Sequence, residues 1–103
     1  MSSIKIRTKR QADSTQIRTL IAHPMETGLD TDSKTKKTIA AHFIQQLTVR
    51  HNDIIIVTTD LASGISRNPY FSFEMKGGEP GDKITIQWTD NQGNSDSQDT
   101  LIQ

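Results

Sequence analysis

The chain has 103 residues, 32% of them hydrophobic, with 12 Lys+Arg balanced by 12 Asp+Glu and no cysteine. That length suits one domain, residues 1–103, with a lean core and little room for an enclosed substrate cavity. The missing thiol excludes disulfides, thiolate nucleophiles, iron–sulfur clusters and thiolate zinc or copper sites. The neutral balance argues against nucleic-acid or anionic-membrane binding, which draws on a basic surplus.

The first ten residues, MSSIKIRTKR, hold no apolar segment of the kind a secretory signal needs. No stretch approaches the ~20 apolar residues of a membrane span. Read alone, the sequence predicts a cytoplasmic chain or a processed mature form. Ile4 to Lys9 alternates apolar and polar residues, and Thr15 to Ala22 nearly does, so each reads as a strand with one core face and one wet face. Leu20 breaks the second pattern, which predicts that this end is covered on both faces. The stretch His23 to Gly28, HPMETG, then ends the strand. Pro24 cannot donate to a sheet ladder, Gly28 permits a sharp turn, and Met25 is an adaptable apolar plug.

From Thr27 to Thr38 the chain is polar and reads as a loop, with Lys34, Lys36 and Lys37 solvated. Ile39, Phe43 and Leu47 fit helical spacing, whereas Thr48-Val49 favours a strand from about His42 to Arg50. Asp53 to Asp60, DIIIVTTD, predicts a strand buried on both sides at its start. Tyr70 to Lys76 and Asp82 to Asp90 alternate cleanly, and GGEPGD between them predicts a hairpin with a type II turn at Pro80-Gly81. Asn91-Gln92-Gly93-Asn94 is a turn before a short final strand, Thr100 to Ile102. About seven antiparallel strands with turns between them predict an all-β, two-sheet sandwich.

The histidines are the first candidates for chemistry. His42 and His51, nine residues apart on the predicted strand, would be roughly 30 Å apart and on opposite faces. His23 and His42 could lie side by side, with Glu26 completing a three-ligand set. Strand-end histidines more often bond backbone or water. No GxSxG elbow, paired-carboxylate motif or phosphate loop stands out, so no catalytic, cofactor or metal residue is assigned.

Four motifs in order, HPMETG, AHFI (Ala41 to Ile44), RNPYFSFEMKG (Arg67 to Gly77) and WTDNQG (Trp88 to Gly93), resemble the SoxZ family over about Ile4 to Ile102. The resemblance implies an immunoglobulin-like β-sandwich and a non-enzymatic role without a cofactor, as one subunit of a sulfur-compound carrier in thiosulfate oxidation. It implies a heterodimer with SoxY, whose C-terminal arm cysteine carries the sulfur intermediates, and transient contacts with other Sox enzymes. It implies a periplasmic location, reached by export with the partner. A homodimer is expected when the partner is missing. His23, Met25, Glu26, His42 and Tyr70 are the candidate contact residues. The alternative is a stand-alone sandwich that binds a ligand.

Overall fold

Alternating residues place the chain in a two-sheet sandwich in the computed structural model, which describes residues 3–26, 28–29, 31–61 and 65–103. Among these residues the strands are β1 (Ile4–Arg10), β2 (Ser14–Ile21), β3 (Ile44–His51), β4 (Ile54–Asp60), β5 (Tyr70–Lys76), β6 (Lys83–Asp90) and β7 (Ser95–Leu101). One sheet has the order β1-β2-β5 and the other β4-β3-β6-β7, with every pairing antiparallel. This is the two-sheet antiparallel sandwich the strand pattern predicts, in the immunoglobulin-like form the family resemblance implies.

The core is the inward set of the alternation. Ile17 and Ile21 of β2 face Leu47 and Val49 of β3 and Ile84, Ile86 and Trp88 of β6, all buried. Each such side chain contributes about 1.5–3 kcal/mol of burial. Thr15 also points inward, where its hydroxyl donates to Gly77 O at 2.8 Å.

The two long sides of the sandwich differ. On one side β1 lies against β7, and Ser3 fastens them. Its N–H and Oγ both donate to Asp96 Oδ2, at 2.8 and 2.6 Å, while Trp88 Nε1 donates to Ser3 Oγ at 3.1 Å. On the other side lie the edge strands β4 and β5. Phe71, Phe73 and Met75 pack on the core there but stay half-buried, with the two phenyl rings stacked at 6.4 Å.

Several expectations are corrected. Tyr70–Lys76 and Lys83–Asp90 are not a hairpin: β5 pairs with β2, and β6 with β3 and β7. The GGEPGD segment crosses between the sheets. Gly77 N donates to Asp13 O at 2.8 Å on one side, and Gly81 N to Ile102 O at 2.7 Å on the other. The Pro80-Gly81 turn itself is present, with Gly81 at φ 92°. Alternation alone cannot separate these outcomes, because strands in the same sheet and in facing sheets each show one apolar face.

The DIIIVTTD strand is not doubly buried. It is the edge strand β4, and Ile54, Ile55 and Ile56 are 68%, 55% and 38% exposed. A register shift at Val49/Arg50 offsets this end from its neighbour. Leu20 is uncovered in the isolated chain, at 42% exposure. The last strand is longer than expected, because the polar segment Ser95–Leu101 completes the ladder on β6. Residues 42 and 43 precede β3, and the Lys34–Lys37 region is exposed loop, as predicted.

Candidate functional site

Residues from all four motifs meet at one end of the sandwich, around the carboxylate of Asp90. Period-two alternation along β6 turns Ile84, Ile86, Trp88 and then Asp90 inward, so this last inward residue is a buried charge. A carboxylate in that position must be fully hydrogen-bonded to be tolerated.

Asp90 is saturated. Its Oδ1 accepts from Gln92 N at 3.0 Å and Asn94 N at 2.8 Å, which shapes the β6–β7 turn. Its Oδ2 faces His23 Nε2 at 3.1 Å, His42 Nε2 at 2.7 Å and Asn94 Nδ2 at 3.2 Å. Burial alone would raise the Asp90 pKa. The donors from His23, the Asn94 backbone, His42 and the Asn94 side chain outweigh it and hold the group well below its ordinary 3.8.

Each histidine is placed by its own backbone. His23 follows β2 and is joined to Asn68, whose Oδ1 accepts from His23 N at 3.1 Å and whose N donates to His23 O at 2.9 Å. His42 pairs with Glu26 through N–H···O bonds of 2.7 and 2.9 Å. The imidazoles meet edge-on at 4.6 Å, and His23 also stands edge-on to Trp88 at 5.2 Å. Asn91 closes the cluster: its Oδ1 accepts from Phe43 N at 2.8 Å and its Nδ2 donates to Ala41 O at 2.9 Å.

The tautomer of His23 decides what the cluster does. Met25 N donates to His23 Nδ1 at 3.1 Å, so Nδ1 is an acceptor and Nε2 carries the proton given to Asp90. A metal ligand through Nε2 would need the opposite arrangement, with the other nitrogen donating outward. It would then face the Met25 N–H donor to donor. His23, His42 and Asp90 do bring three ligand-type atoms within 4.8 Å of one another, but their hydrogen bonding is that of a clamp. It joins the end of β2, the loop before β3 and the β6–β7 turn.

The sequence candidates divide accordingly. His23 and His42 lie side by side, as expected, but the third group is Asp90 rather than Glu26. The Glu26 carboxylate instead faces Arg67, at 3.9 Å. His23 and Met25 are 4% and 5% exposed and present no contact surface. Met25, at φ 50°, fills the core, and its sulfur accepts from Ile44 N at 3.3 Å. Glu26 and His42 are partly exposed, and Tyr70 is 58% exposed. His51 belongs elsewhere, against Asp82 at 2.7 Å.

The family described as "Sulphur oxidation protein SoxZ" matches residues 4–100. No curated protein matches the chain. Among solved structures, hypothetical protein PH1083 from Pyrococcus horikoshii OT3 is similar, with a TM-score of 0.66 at 14% identity over 97% of this chain and 87% of that one. That likeness concerns the fold. The match over residues 4–100 spans all four motifs and every residue of the Asp90 clamp: the chain belongs to the SoxZ family of sulfur oxidation proteins.

Proposed function

We propose that this chain is the non-catalytic subunit of a heterodimeric sulfur carrier. It holds a SoxY partner whose C-terminal arm cysteine bears the sulfur intermediates of thiosulfate oxidation. Family membership carries this reading. The chemistry agrees with it, since a chain without cysteine has no thiol for a persulfide or thiosulfonate. The Asp90 clamp builds a corner of the scaffold, with its one fully buried imidazole engaged on both nitrogens.

The β4 edge supports a permanent partner. Three consecutive exposed isoleucines on an edge strand combine apolar area with unpaired backbone groups, the two features that strand addition uses. The partner covers this strand, and a second copy of the chain takes its place when the partner is missing. Export bound to that partner places the pair in the periplasm, where other Sox enzymes act on the partner's cysteine.

The test combines pairing with mass measurement. Reconstitute the two subunits, supply thiosulfate and the oxidising enzymes, and record intact masses. The sulfur adduct is expected on the partner alone. Ile55→Lys is expected to raise the heterodimer dissociation constant by about a hundredfold, as for the loss of an interface anchor, while the isolated chain melts as before. An adduct on this chain without its partner overturns the carrier reading. A heterodimer indifferent to Ile55→Lys overturns the placement of the partner on β4.

A further inference from the structure

The outward face of the β1-β2-β5 sheet concentrates positive charge that the neutral chain as a whole lacks. Strand register sets its residues in rows: Lys5, Leu20 and Tyr70; then Arg7, Arg18 and Ser72; then Lys9, Gln16 and Glu74. Arg7 and Arg18 are direct cross-strand partners, at a spacing of about 5 Å between Cβ atoms where like charges repel. Among the described residues, none of Lys5, Arg7, Lys9 and Arg18 forms an ion pair. Arg18 donates instead to the neutral Oε1 of Gln16, at 2.9 Å.

The same four cations line a groove of about 750 Å³ between β1 and β7, bordered on the β7 side by Asp99. Glu74, in the last row, accepts from Ser14 Oγ at 2.9 Å. At the other end of the rows, Leu20 and Tyr70 are cross-strand neighbours, 42% and 58% exposed.

Lysines on an edge strand discourage sheet-to-sheet pairing, which accounts for Lys5 and Lys9 on β1. It does not account for Arg18 on the central strand β2, set opposite Arg7, or for an exposed Leu–Tyr pair beside them. We propose that this face docks an acidic protein surface. Carboxylates meet the Arg7–Arg18 pair and its flanking lysines, and an apolar side chain of the partner sits on Leu20 and Tyr70. Guanidinium forks suit carboxylates, and a tyrosine beside an aliphatic residue is the kind of anchor protein interfaces favour. A free oxyanion would use the arginines and ignore the apolar pair, and a nucleic acid would draw on a net basic charge this chain lacks. The face lies on the sheet opposite β4, so the acidic partner is additional to one held at that edge.

The test uses the full chain, alone and with its partner subunit bound. The probes are an Asp/Glu-rich peptide with a central Leu-Phe pair, the same peptide with Ser-Ser, inorganic sulfate and a single-stranded oligothymidylate. The Leu-Phe peptide is expected to bind tightest and to shift backbone amides of β1, β2 and β5. Its affinity should fall about tenfold between about 20 and about 200 mM salt, as screening weakens the exposed charges. Arg7→Glu with Arg18→Glu should weaken it at least about tenfold, with melting unchanged. Tyr70→Ser should weaken the Leu-Phe peptide about threefold or more and leave the Ser-Ser peptide unaffected. Equal binding of the two peptides overturns the proposal. So does binding of sulfate or the oligonucleotide as tight as the peptide, or an amide footprint outside these strands. Ile55→Lys, which tests the β4 edge, should leave peptide binding intact, so failure of one reading is separable from failure of the other.

Discussion

Replacing Asp90 by asparagine tests the clamp with almost no change in volume. The carboxylate is an acceptor on both oxygens, and donors face both sides: the two imidazoles and Asn94 Nδ2 at Oδ2, and the Gln92 and Asn94 amides at Oδ1. An asparagine must turn its NH₂ toward one set or the other, so one side becomes donor against donor. His23 cannot adapt by changing tautomer, because Met25 N–H holds Nδ1 as the acceptor. Charge-assisted bonds contribute about 1.5–3 kcal/mol each, and a buried donor left unsatisfied costs about 1–3 kcal/mol. Part of each loss is recovered by relaxation, which leaves an expected destabilisation of about 2–4 kcal/mol. For a domain this size that lowers the melting temperature by about 10–20 °C. The assay is urea and thermal unfolding followed by Trp88 fluorescence, since the single tryptophan stands 5.2 Å from the His23 ring. The pH dependence supplies a second readout. Asp90 in the folded chain is held well below 3.8, so below that value the unfolded chain binds more protons and stability falls with pH. The Asp90 contribution is complete above about pH 4 and lost in stronger acid, so wild type and Asp90→Asn should converge there. A variant within about 0.5 kcal/mol of wild type at pH 7 would refute the clamp, because that is the range of an ordinary surface substitution.

Met25→Ala should destabilise the chain by about 2–4 kcal/mol, the cost of truncating a buried methionine, and leave partner affinity of the folded protein unchanged. Titration of the heterodimer below the melting temperature checks this; weaker pairing would return Met25 to the surface. Gly78→Ala should cost more than Gly81→Ala. Both sit at φ 92°, but a Cβ at Gly78 would come within 2.6 Å of Thr15 Oγ1 and 2.8 Å of Met75 Cε, whereas Gly81 has open space. Strain alone at Gly81 costs about 1 kcal/mol and a clash in addition about 2 kcal/mol or more, so equal melting temperatures would contradict the packing at the crossing.

The strands were legible because a period of two survives in a single sequence. Tyr70–Lys76 is predicted to the residue, and β1, β2 and β6 within one or two at their ends. What alternation does not encode is which strand lies beside which, so it predicts a β5–β6 hairpin that does not form. It is equally silent on whether an apolar run ends at a neighbour or at solvent. The run at Ile54–Ile56 has the composition of a buried strand and the position of an edge. The site was half legible. His23 and His42 are brought together by the chain reversal anticipated between them. Asp90 was missed although a signal existed: it continues the inward sequence Ile84, Ile86, Trp88 and is followed by NQGN, so a charge falls on an apolar face at the start of a turn. Glu26 is close to His23 in sequence, but its carboxylate faces Arg67.

Ser3 ties β1 to β7 along one long side of the sandwich, whereas β4 and β5 on the other side are each hydrogen-bonded to a single neighbouring strand. Amides of the interior strands β2, β3 and β6 are therefore expected to exchange slowest and those of the edge strand β4 first. A partner that adds a strand to β4, as proposed, would pair its free edge, and exchange of the β4 amides is then expected to slow on heterodimer formation.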